Sequence, residues 1–256
     1  MPYTSRKKIK EFWNSTKSVL AGQKDKQLKL REQRIINKKI INKTNMLDLG
    51  CGTGELIKYL DNNNKIKTAT GVDFSKKHIS EAKKIKKKYI NFHCDDVDSF
   101  LNKKKIRNKK FDIIITKRLL INLESEKSQI KFINKLSNFL KPNGVFIALE
   151  SSSFYYANIN RLRKKIHLPL MKPMWHNVYI NDIKIRRTSF KNLKLIKIEE
   201  LFSTYYFFSR VLNALFCSFF RLEPRYDDLI NRIGWFLPQN FLKSYSRERI
   251  YLFKKN

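Results

Sequence analysis

A glycine turn between an apolar segment and a helix-like segment constrains this chain more than any other feature. Residues 45–54 read Asn-Met-Leu-Asp-Leu-Gly-Cys-Gly-Thr-Gly, and the apolar side chains before the glycines predict a short strand. Leu56, Ile57 and Leu60 then follow at helical spacing. A strand, a glycine turn and a helix N-terminus form a cradle for a nucleotide-like ligand, because glycine has no Cβ atom to hold the ligand off the backbone.

The spacing of the three glycines separates this turn from a dinucleotide-binding turn. The dinucleotide fingerprint is Gly-x-Gly-x-x-Gly or Gly-x-Gly-x-x-Ala. Here the glycines are Gly50, Gly52 and Gly54, and Glu55 occupies the last position of the fingerprint. Asp48 lies two residues before the first glycine. A carboxylate beside the turn can pair with an ammonium group of a ligand or accept hydrogen bonds from its hydroxyl groups.

Strand-like segments recur after the glycine turn, and two of them end in carboxylates. Residues 68–73 end at Asp73, and residues 89–95 lead into Cys-Asp-Asp-Val at 94–97. Further strands are predicted at residues 111–116, 144–150, 193–201 and 249–253. Because strands alternate with helical patterns, we expect a parallel, doubly wound sheet with a ligand crevice at the C-terminal ends of its strands.

The glycine turn, the two carboxylate-bearing strand ends and a Lys-Pro-Asn-Gly turn at 141–144 occur in an order that resembles class I S-adenosylmethionine (SAM)-dependent methyltransferases. The resemblance implies a Rossmann-like α/β fold with a seven-stranded, mostly parallel, doubly wound sheet and helical insertions on the substrate side. It implies SAM as cofactor and S-adenosylhomocysteine as product. In the family, the second-strand carboxylate accepts from the ribose hydroxyls and the third-strand carboxylate accepts from the adenine amino group. The expected cofactor-binding residues are Asp48, Gly50, Cys51, Gly52, Gly54, Asp73, Phe74, Asp95, Asp96 and Val97.

The length of 256 residues, 42% of them hydrophobic, suits a single methyltransferase domain with additions. We expect a helical cap over residues 1–44 and a SAM-binding core over 45–150. Residues 151–179 and 202–245 are too long for plain connections, so we expect two substrate-side insertions there. Trp13 in the cap is either a lid over the cofactor or an ordinary packing residue.

The most apolar run of the chain, residues 211–220, lies in the second insertion between Arg210 and Arg221. It is far shorter than the roughly 20 residues that span a bilayer. We predict a buried lid helix and expect no membrane association. An interfacial helix with basic flanks is the open alternative.

The formal net charge of +33 has two explanations. An acidic partner, such as nucleic acid, an anionic membrane or a phosphorylated substrate, would account for it. An AT-rich genome would also account for it, because the codons of Lys, Asn and Ile are AT-rich, and we favour this second explanation. Lysines lie on most predicted solvated faces, for example at residues 83–88 on the second helix of the core.

The three cysteines, Cys51, Cys94 and Cys217, are scattered, and the chain contains no Cys-x-x-Cys. We therefore expect neither a disulfide framework nor a zinc site, and no metal is needed for methyl transfer. No apolar stretch follows the charges near the N-terminus, so we predict no signal peptide and a cytoplasmic location, where SAM is made.

Methyl transfer is an in-line displacement at the sulfonium methyl that usually requires removal of one proton from the acceptor. His176 is the first candidate for the general base, because it lies in the insertion after the fifth strand and an unperturbed histidine titrates near ~6.5. It could instead be a polar contact that orients the loop of Trp175. His167 is the second candidate, whereas we expect His78 and His93 to be structural.

Lys117 and Arg118 follow the fourth strand, where many relatives carry catalytic or cofactor-contacting residues, and we expect both to take part in catalysis. Arg118, Arg163 and Arg210 fall in predicted substrate-side segments. Together they could clamp a phosphate or carboxylate, although each alone could be a surface arginine. The expected substrate-binding residues are Glu150, Trp175, Asn177, Tyr205, Tyr206 and Arg210.

Three short motifs extend the resemblance: Arg-Leu-Leu-Ile-Asn-Leu at 118–123, Trp-His-Asn at 175–177 and Tyr-Tyr-Phe-Phe-Ser-Arg at 205–210. They are similar to methyltransferases of bacterial capsule and surface-polysaccharide biosynthesis. That similarity implies O-methylation of a sugar or a small phosphorylated precursor, with a small-molecule substrate and no specific nucleic-acid partner.

Three other functions stay open. An RNA methyltransferase would suit the charge, but the fourth strand ends in Thr-Lys-Arg and lacks the Asn/Asp-Pro-Pro-Tyr pattern used on base amines. No Pro-Cys or Thr-Cys nucleophile is present either. A lipid or quinone methyltransferase at the membrane surface would use the run at 211–220. A non-catalytic SAM-binding protein has the complete cofactor motif against it.

Overall fold

A seven-stranded sheet forms the centre of the protein in a computed structural model that describes residues 6–15, 25–239 and 241–256. The strands are β1 (Thr44–Leu49), β2 (Ile66–Asp73), β3 (Ile90–Cys94), β4 (Phe111–Lys117), β5 (Leu140–Ser151), β6 (Leu193–Glu200) and β7 (Glu248–Lys255). Their spatial order is β3-β2-β1-β4-β5-β7-β6. Strands β1 to β5 pair in parallel, and β7 runs antiparallel to both β5 and β6. The predicted fold class is confirmed.

Helices precede the sheet, link its strands and build the two insertions. They are α1 (Arg6–Ser15), α2 (Lys26–Lys39), α3 (Glu55–Asn62), α4 (Lys76–Ala82), α5 (Val97–Asn102), α6 (Lys104–Arg107), α7 (Glu126–Leu136), α8 (Ser153–Lys165), α9 (Asp182–Arg187), α10 (Ser203–Phe207), α11 (Asn213–Phe219) and α12 (Leu229–Phe236). Short 3₁₀ turns at Leu120–Asn122 and Ser137–Phe139 follow β4 and α7, and a π-helical turn at Phe208–Leu212 joins α10 to α11. The expected N-terminal cap also covers residues 1–5 and 16–24, which lie outside the described residues.

The chain order reverses at β1, which pairs with β2 on one side and β4 on the other. In a doubly wound sheet this is the place where helices leave toward opposite faces and a crevice opens at the strand C-termini. Asp48 sits at this point, level with Gly71 of β2 and Ile115 of β4. The strand order alone therefore places the ligand crevice at the C-terminal end of β1.

The sheet is buried on both faces, as the almost continuous apolar runs of its central strands require. Met46 and the other side chains on its face of the sheet pack against α3 and the second insertion, in one core cluster with Leu60 and Tyr205. The next residue, Leu47, belongs to the opposite cluster with Phe132 of α7 and Phe146 of β5. Adjacent residues thus alternate between the two clusters, as a strand's side-chain period of two predicts.

The second insertion packs back onto α2 through stacked rings. The rings of Tyr205 and Trp235 lie parallel with centroids 3.7 Å apart, and the guanidinium of Arg31 lies 4.3 Å from the Trp235 ring centroid. Gly234 lets α12 lie close to the π-helical turn of the same insertion, because a Cβ there would stand 2.7 Å from the Cβ of Phe208. The Tyr205 hydroxyl donates to Asp25, the N-cap of α2. The insertion therefore contacts the helix that forms one wall of the crevice.

Three local expectations differ from the structure. Helix α4 ends at Ala82, so the lysines of residues 83–88 lie after the helix in a turned segment before β3. The predicted turn at 141–144 lies within β5, where Asn143 has a positive φ of 60° and the pairing with β4 shifts register. The predicted buried helix at 211–220 is buried on one face only, through residues such as Val211 and Cys217.

Within the described ranges, no helix is long and apolar enough to cross a membrane. The same part of the chain contains no group of three or more His, Cys, Asp or Glu side chains that could hold a metal ion.

Candidate active site

The glycine turn between β1 and α3 adopts a backbone that other residues rarely reach. Gly50, Gly52 and Gly54 have φ values of 75°, 55° and 74°. The Gly50 amide donates to the Val72 carbonyl at 2.8 Å, which ties the turn to β2. A Cβ on Gly54 would lie 2.9 Å from the Phe92 ring, whereas a Cβ on Gly52 would meet no atom within 4 Å. Gly52 therefore borders open space where a ligand can approach the backbone.

Asp73 at the end of β2 holds the glycine turn from the other side. Its Oδ2 accepts from the Gly52 amide at 3.0 Å, and its Oδ1 accepts from the Ser75 amide at 2.9 Å. His78 of α4 brings its Nδ1 to 3.7 Å from the same Oδ1. Each carboxylate oxygen has a second acceptor site, so this fixed side chain can still bind two neighbouring hydroxyl groups.

Asp48 at the end of β1 is the second buried carboxylate beside the turn. The residue is 2% exposed. Burial raises the pKa of Asp48 to about 7, Lys117 opposes this change, and Asp73 adds to it. A positive charge placed next to Asp48 would favour its ionised form. The site is therefore suited to a cationic group of a ligand.

These groups face one crevice at the C-terminal ends of β1, β2 and β4. Helices α1 and α2 cover it, and the start of α5 and the turn after β4 form its sides. The Trp13 indole donates to the Asn122 side chain at 3.2 Å, which joins α1 to that turn. The lining residues are Ile9, Trp13, Lys29, Asp48, Gly50, Cys51, Gly52, Thr53, Glu55, Leu56, Asp73, Phe74, His78, Asp96, Val97, Lys117, Arg118, Leu119, Asn122 and Leu123.

Eight of the ten residues expected to bind the cofactor line this crevice, and Gly54 and Asp95 do not. The Asp95 carboxylate lies 2.6 Å from the Lys103 ammonium. The neighbouring Asp96 lines the crevice and caps α5, because its Oδ1 accepts from the amides of Asp98 and Ser99. Of the two adjacent carboxylates expected to bind the cofactor after the third strand, Asp96 is therefore the one that faces the crevice.

Lys117 and Arg118 reach the crevice but are engaged by a buried acid, Glu32 of α2. Arg118 donates to the two carboxylate oxygens of Glu32 at 2.7 and 3.1 Å, and the Lys117 ammonium lies 3.5 Å from Glu32. Burial disfavours the charge of Glu32, but attraction by Arg118 and Lys117 outweighs burial and holds its pKa below the ordinary value. Burial lowers the pKa of Lys117, with Glu32 opposing. Arg118 is therefore first of all the partner of Glu32.

Glu150, expected to bind substrate, lies fully buried and does not line the crevice. Its Oε1 accepts from the Thr116 hydroxyl at 3.1 Å and from the amides of Leu119 and Leu120 at 3.1 and 3.0 Å. Its Oε2 accepts from the Ile121 amide at 3.3 Å. Burial raises the pKa of Glu150 to about 7, and these hydrogen bonds oppose the change. The side chain fixes the turn after β4, which forms one side of the crevice.

His176 lies behind Trp13 and does not line the crevice itself. Its ring centroid is 4.6 Å from that of Phe12, 5.8 Å from that of Trp13 and 5.0 Å from that of Trp175. The residue is 5% exposed, and its Nδ1 is buried without a hydrogen-bond partner among the described residues. Burial lowers the pKa of His176, so the ring is neutral at pH 7. Asn177 brings its side-chain nitrogen to 3.4 Å from the Tyr179 hydroxyl.

Comparison with family models identifies the family to which the chain with this crevice belongs. Residues 40–189 match the model of a family described as a methyltransferase domain. This chain belongs to the methyltransferase domain family. The match covers more than half of the chain, including the glycine turn, Asp73 and the turn after β4. The predicted enzyme class and the predicted cofactor, SAM, are confirmed by this membership.

Two relatives align with this methyltransferase over different lengths. An uncharacterized protein of Methanocaldococcus jannaschii is 29% identical over 253 residues, which cover 96% of this chain and 90% of that protein. A demethylmenaquinone methyltransferase of Leptospira interrogans is 29% identical over 110 residues, which cover 41% of this chain and 42% of that enzyme.

Solved structures share the whole fold. The N-methyltransferase NodS of Bradyrhizobium japonicum WM9, in complex with S-adenosylhomocysteine, has a TM-score of 0.58 at 12% identity and covers 97% of both chains. The magnesium protoporphyrin IX methyltransferase of Synechocystis PCC 6803, with bound S-adenosylhomocysteine, has a TM-score of 0.59 at 12% identity and covers 98% of this chain. At such identity the likeness shows the fold alone. The similarity to surface-polysaccharide enzymes stays a prediction, because none of these proteins carries that description.

The residues of the second insertion that were expected to bind substrate lie away from the methyltransferase crevice. Tyr205 is fully buried against Trp235, and the Tyr206 hydroxyl lies 3.5 Å from Glu248. Arg210 stacks over the Tyr226 ring at 5.3 Å. None of them lines the crevice. Their contacts tie the insertion to the sheet and to α2.

The structure contradicts the expected clamp of three arginines. Only Arg118 reaches the crevice. Arg163 donates through Nε to the Pro169 carbonyl at 2.7 Å and through Nη1 to the Arg210 carbonyl. These two arginines hold the first and second insertions together. His167, the second candidate for the base, is exposed and does not line the crevice.

Two lining residues, Ile9 and Lys29, carried no signal in the sequence, whereas Trp13 was already a candidate lid residue. Ile9, Trp13 and Lys29 reach the crevice from α1 and α2, and Lys29 pairs with Glu55 at the start of α3. No motif marks Ile9 or Lys29, because their role depends on how the cap packs. Asn122 falls within the motif at 118–123, and that motif was the signal available for it.

Proposed function

We propose that this methyltransferase holds SAM in the crevice at the ends of β1, β2 and β4 and methylates a hydroxyl group of a small acceptor. One observation carries the proposal: the open backbone at Gly52 and the buried carboxylates of Asp48 and Asp73 border the same crevice. The arrangement matches the functional groups of SAM, which has an ammonium group and two ribose hydroxyls but no phosphate.

The two carboxylates bind different groups of the cofactor. Asp73, fixed by the amides of Gly52 and Ser75, accepts hydrogen bonds from the ribose hydroxyls. Asp48, whose pKa burial raises to about 7, pairs with the ammonium group and becomes fully ionised by doing so. Phe74 and Val97 line the crevice together with their chain neighbours Asp73 and Asp96. We assign these two apolar side chains to the adenine ring and Asp96 to its amino group.

The cap closes the crevice over the reacting atoms. Trp13 and Ile9 of α1 line it, and the hydrogen bond from Trp13 to Asn122 joins α1 to the turn after β4. SAM supplies an electrophilic methyl group when it is bound. The cap excludes water from the site and orients the acceptor for in-line attack.

The acceptor oxygen must lose a proton as its bond to the methyl carbon forms and the carbon–sulfur bond breaks. We assign His176 as the group that takes it. Its lowered pKa keeps it neutral at pH 7, and its Nδ1 has no hydrogen-bond partner among the described residues. Trp13 separates His176 from the crevice, so a small shift of the α1 side chains would have to precede contact with the acceptor.

For the acceptor class we keep the sugar or small phosphorylated precursor that the sequence motifs suggest, methylated in the cytoplasm. A hydroxyl is favoured over a phosphate oxygen. Arg118, the arginine that reaches the crevice, is already held in a bidentate pair by Glu32, so an anion would have to compete with a buried carboxylate.

A second candidate, methylation of a quinone or another lipid-soluble acceptor, has two observations in its favour. One relative over part of the chain is a demethylmenaquinone methyltransferase. Large apolar side chains of the second insertion are exposed, including Phe219 and Phe236 at 81% and 90%.

Calorimetry with SAM tests the cofactor site. Asp73→Ala removes the ribose acceptor and should weaken SAM binding by about 1–3 kcal/mol, because a charged hydrogen-bond partner is lost. Asp61→Ala is the matched control, since Asp61 accepts from the Tyr89 hydroxyl outside the crevice. Equal SAM affinity in the Asp73 variant and the wild type would refute the assignment.

Transfer of a labelled methyl group from SAM tests the acceptor class. We expect turnover with a nucleotide sugar or a phosphorylated sugar from a panel that also contains quinones. Turnover with quinones alone would replace the first acceptor class with the second, while the cofactor site would stay as proposed.

A further inference from the structure

Two helices of the second insertion expose large apolar side chains while each buries an asparagine, although α12 also buries Trp235. In α11, Asn213 is 1% exposed and donates to Asp228 at 2.7 Å, while Phe219 is 81% exposed. In α12, Asn231 is 1% exposed and donates to the Arg225 carbonyl at 2.6 Å, while Phe236 is 90% exposed. An ordinary surface helix has the opposite arrangement.

The exposed apolar side chains are concentrated in one segment. Eleven of the twenty exposed large hydrophobic residues of the described chain fall within residues 215–241, and we call these eleven the apolar patch. Its most exposed members are Phe219, Leu229, Phe236 and Phe241, at 81%, 71%, 90% and 78%. Such a concentration marks an interaction surface, whereas isolated exposed apolar residues need no explanation.

The outward direction of these side chains is fixed by the packing beneath them. Trp235 stacks on Tyr205, and Gly234 lies against Phe208 so closely that a Cβ would not fit. Because residues 234 and 235 face inward, their neighbours Ile233 and Phe236 must face outward. The exposure is therefore a property of the folded helices.

Charge decides which partner fits the apolar patch. The whole chain has a formal charge of +33, so two copies repel each other, whereas an anionic surface attracts every copy. The segment itself is close to neutral, and the attraction must come from the rest of the molecule. Its charged side chains are Arg221, Arg225 and Arg232, against Glu223, Asp227 and Asp228.

We propose that the apolar patch docks this methyltransferase on an anionic lipid surface, with the aromatic side chains of α11 and α12 in the boundary between headgroups and acyl chains. Basic residues draw the protein to the membrane, and buried apolar area holds it there. Within the described residues no helix could span a bilayer, so the protein lies on the surface. The docking does not depend on which acceptor is methylated.

Vesicle flotation tests the docking. The full chain is mixed with phosphatidylcholine vesicles that contain about 30% phosphatidylglycerol, and with vesicles of phosphatidylcholine alone. The wild type should float with the anionic vesicles and much less with the neutral ones. The double variant Phe219→Ser and Phe236→Ser keeps the charge and should bind the anionic vesicles about tenfold more weakly or worse, because two exposed rings can no longer be buried.

Ile41→Ser is the matched control, because Ile41 is an apolar side chain that is 84% exposed outside the patch. It should bind vesicles like the wild type. Calorimetry with SAM checks that each variant is folded, and a failure of SAM binding in all proteins would concern the proposed function and leave the docking result intact.

Three results would overturn the proposal. The wild type could fail to float with anionic vesicles. The double variant could float as well as the wild type, which would reduce the interaction to charge alone. Light scattering could show a wild-type dimer that the double variant converts to a monomer, which would make a second copy the occupant of the patch.

Discussion

Replacing Asp48 with asparagine should separate the stability of this methyltransferase from its ability to bind SAM. The carboxylate is 2% exposed, and burial raises its pKa from 3.8 to about 7. The folded protein therefore keeps the proton to a higher pH than the unfolded chain does. As the pH rises from about 4 to about 7, the unfolded state loses its proton first, and the free energy of unfolding falls.

The size of this effect follows from the two pKa values. One pKa unit corresponds to about 1.4 kcal/mol, so the change from 3.8 to about 7 costs the folded protein about 4 kcal/mol at pH 8. Asparagine has nearly the same shape and no charge to bury. Its amide donors need partners, so we expect Asp48→Asn to gain about 2–4 kcal/mol at pH 8 and almost nothing near pH 4.

The assay is urea unfolding of the ligand-free wild type and Asp48→Asn at pH 4 and pH 8, paired with calorimetry at pH 8. The variant should be the more stable protein at pH 8 and should bind SAM at least about tenfold more weakly, because the ammonium group has lost its anionic partner. Asp61→Asn, outside the crevice, should change neither quantity.

Two outcomes would refute this reasoning. If Asp48→Asn is less stable than the wild type at pH 8, the carboxylate is satisfied inside the folded protein and its burial carries no cost. If the variant binds SAM as tightly as the wild type, Asp48 is not the partner of the ammonium group.

Three further changes test the site and its supports. His176→Ala should lower turnover about 10²- to 10⁴-fold and leave SAM affinity unchanged, and a fully active variant would remove the general-base role. Glu32→Gln leaves the buried guanidinium of Arg118 without its bidentate partner. Urea unfolding should show a free energy of unfolding lower by about 3–5 kcal/mol. A loss below ~1 kcal/mol would contradict a stabilising ion pair between Glu32 and Arg118. In Gly54→Ala the new Cβ would lie 2.9 Å from the Phe92 ring, whereas in Gly52→Ala it would enter open space. The Gly54 variant should therefore have the lower melting temperature. Equal melting temperatures would contradict the close packing of Gly54 on Phe92.

The sequence was sufficient for those features that a local pattern determines. The glycine turn, Asp73 and the alternation of strands with helices each follow from adjacent residues, and the structure places them as expected. The cap of α4 is an equally local feature, because the Ser75 hydroxyl accepts from the His78 amide three residues further along the chain.

The sequence was insufficient wherever a side chain's partner lies far along the chain. Arg118 looked available for substrate, but its partner Glu32 lies 86 residues away on α2. Tyr205 looked like a substrate residue, but it stacks on Trp235 of another helix. Asp95 and Asp96 are adjacent, and only the exact end of β3 determines which of them faces the crevice.

The position of β7 has a consequence for how the protein is made. This strand follows all the others in the chain, yet it lies between β5 and β6 in the sheet. Until the ribosome has released residues 248–255, β6 has no neighbour to join and one edge of β5 lacks its strand partner. An unpaired strand edge on a partly made chain is a template for association with other chains. The addition of this strand is therefore the step that joins β6 to the sheet and pairs the free edge of β5.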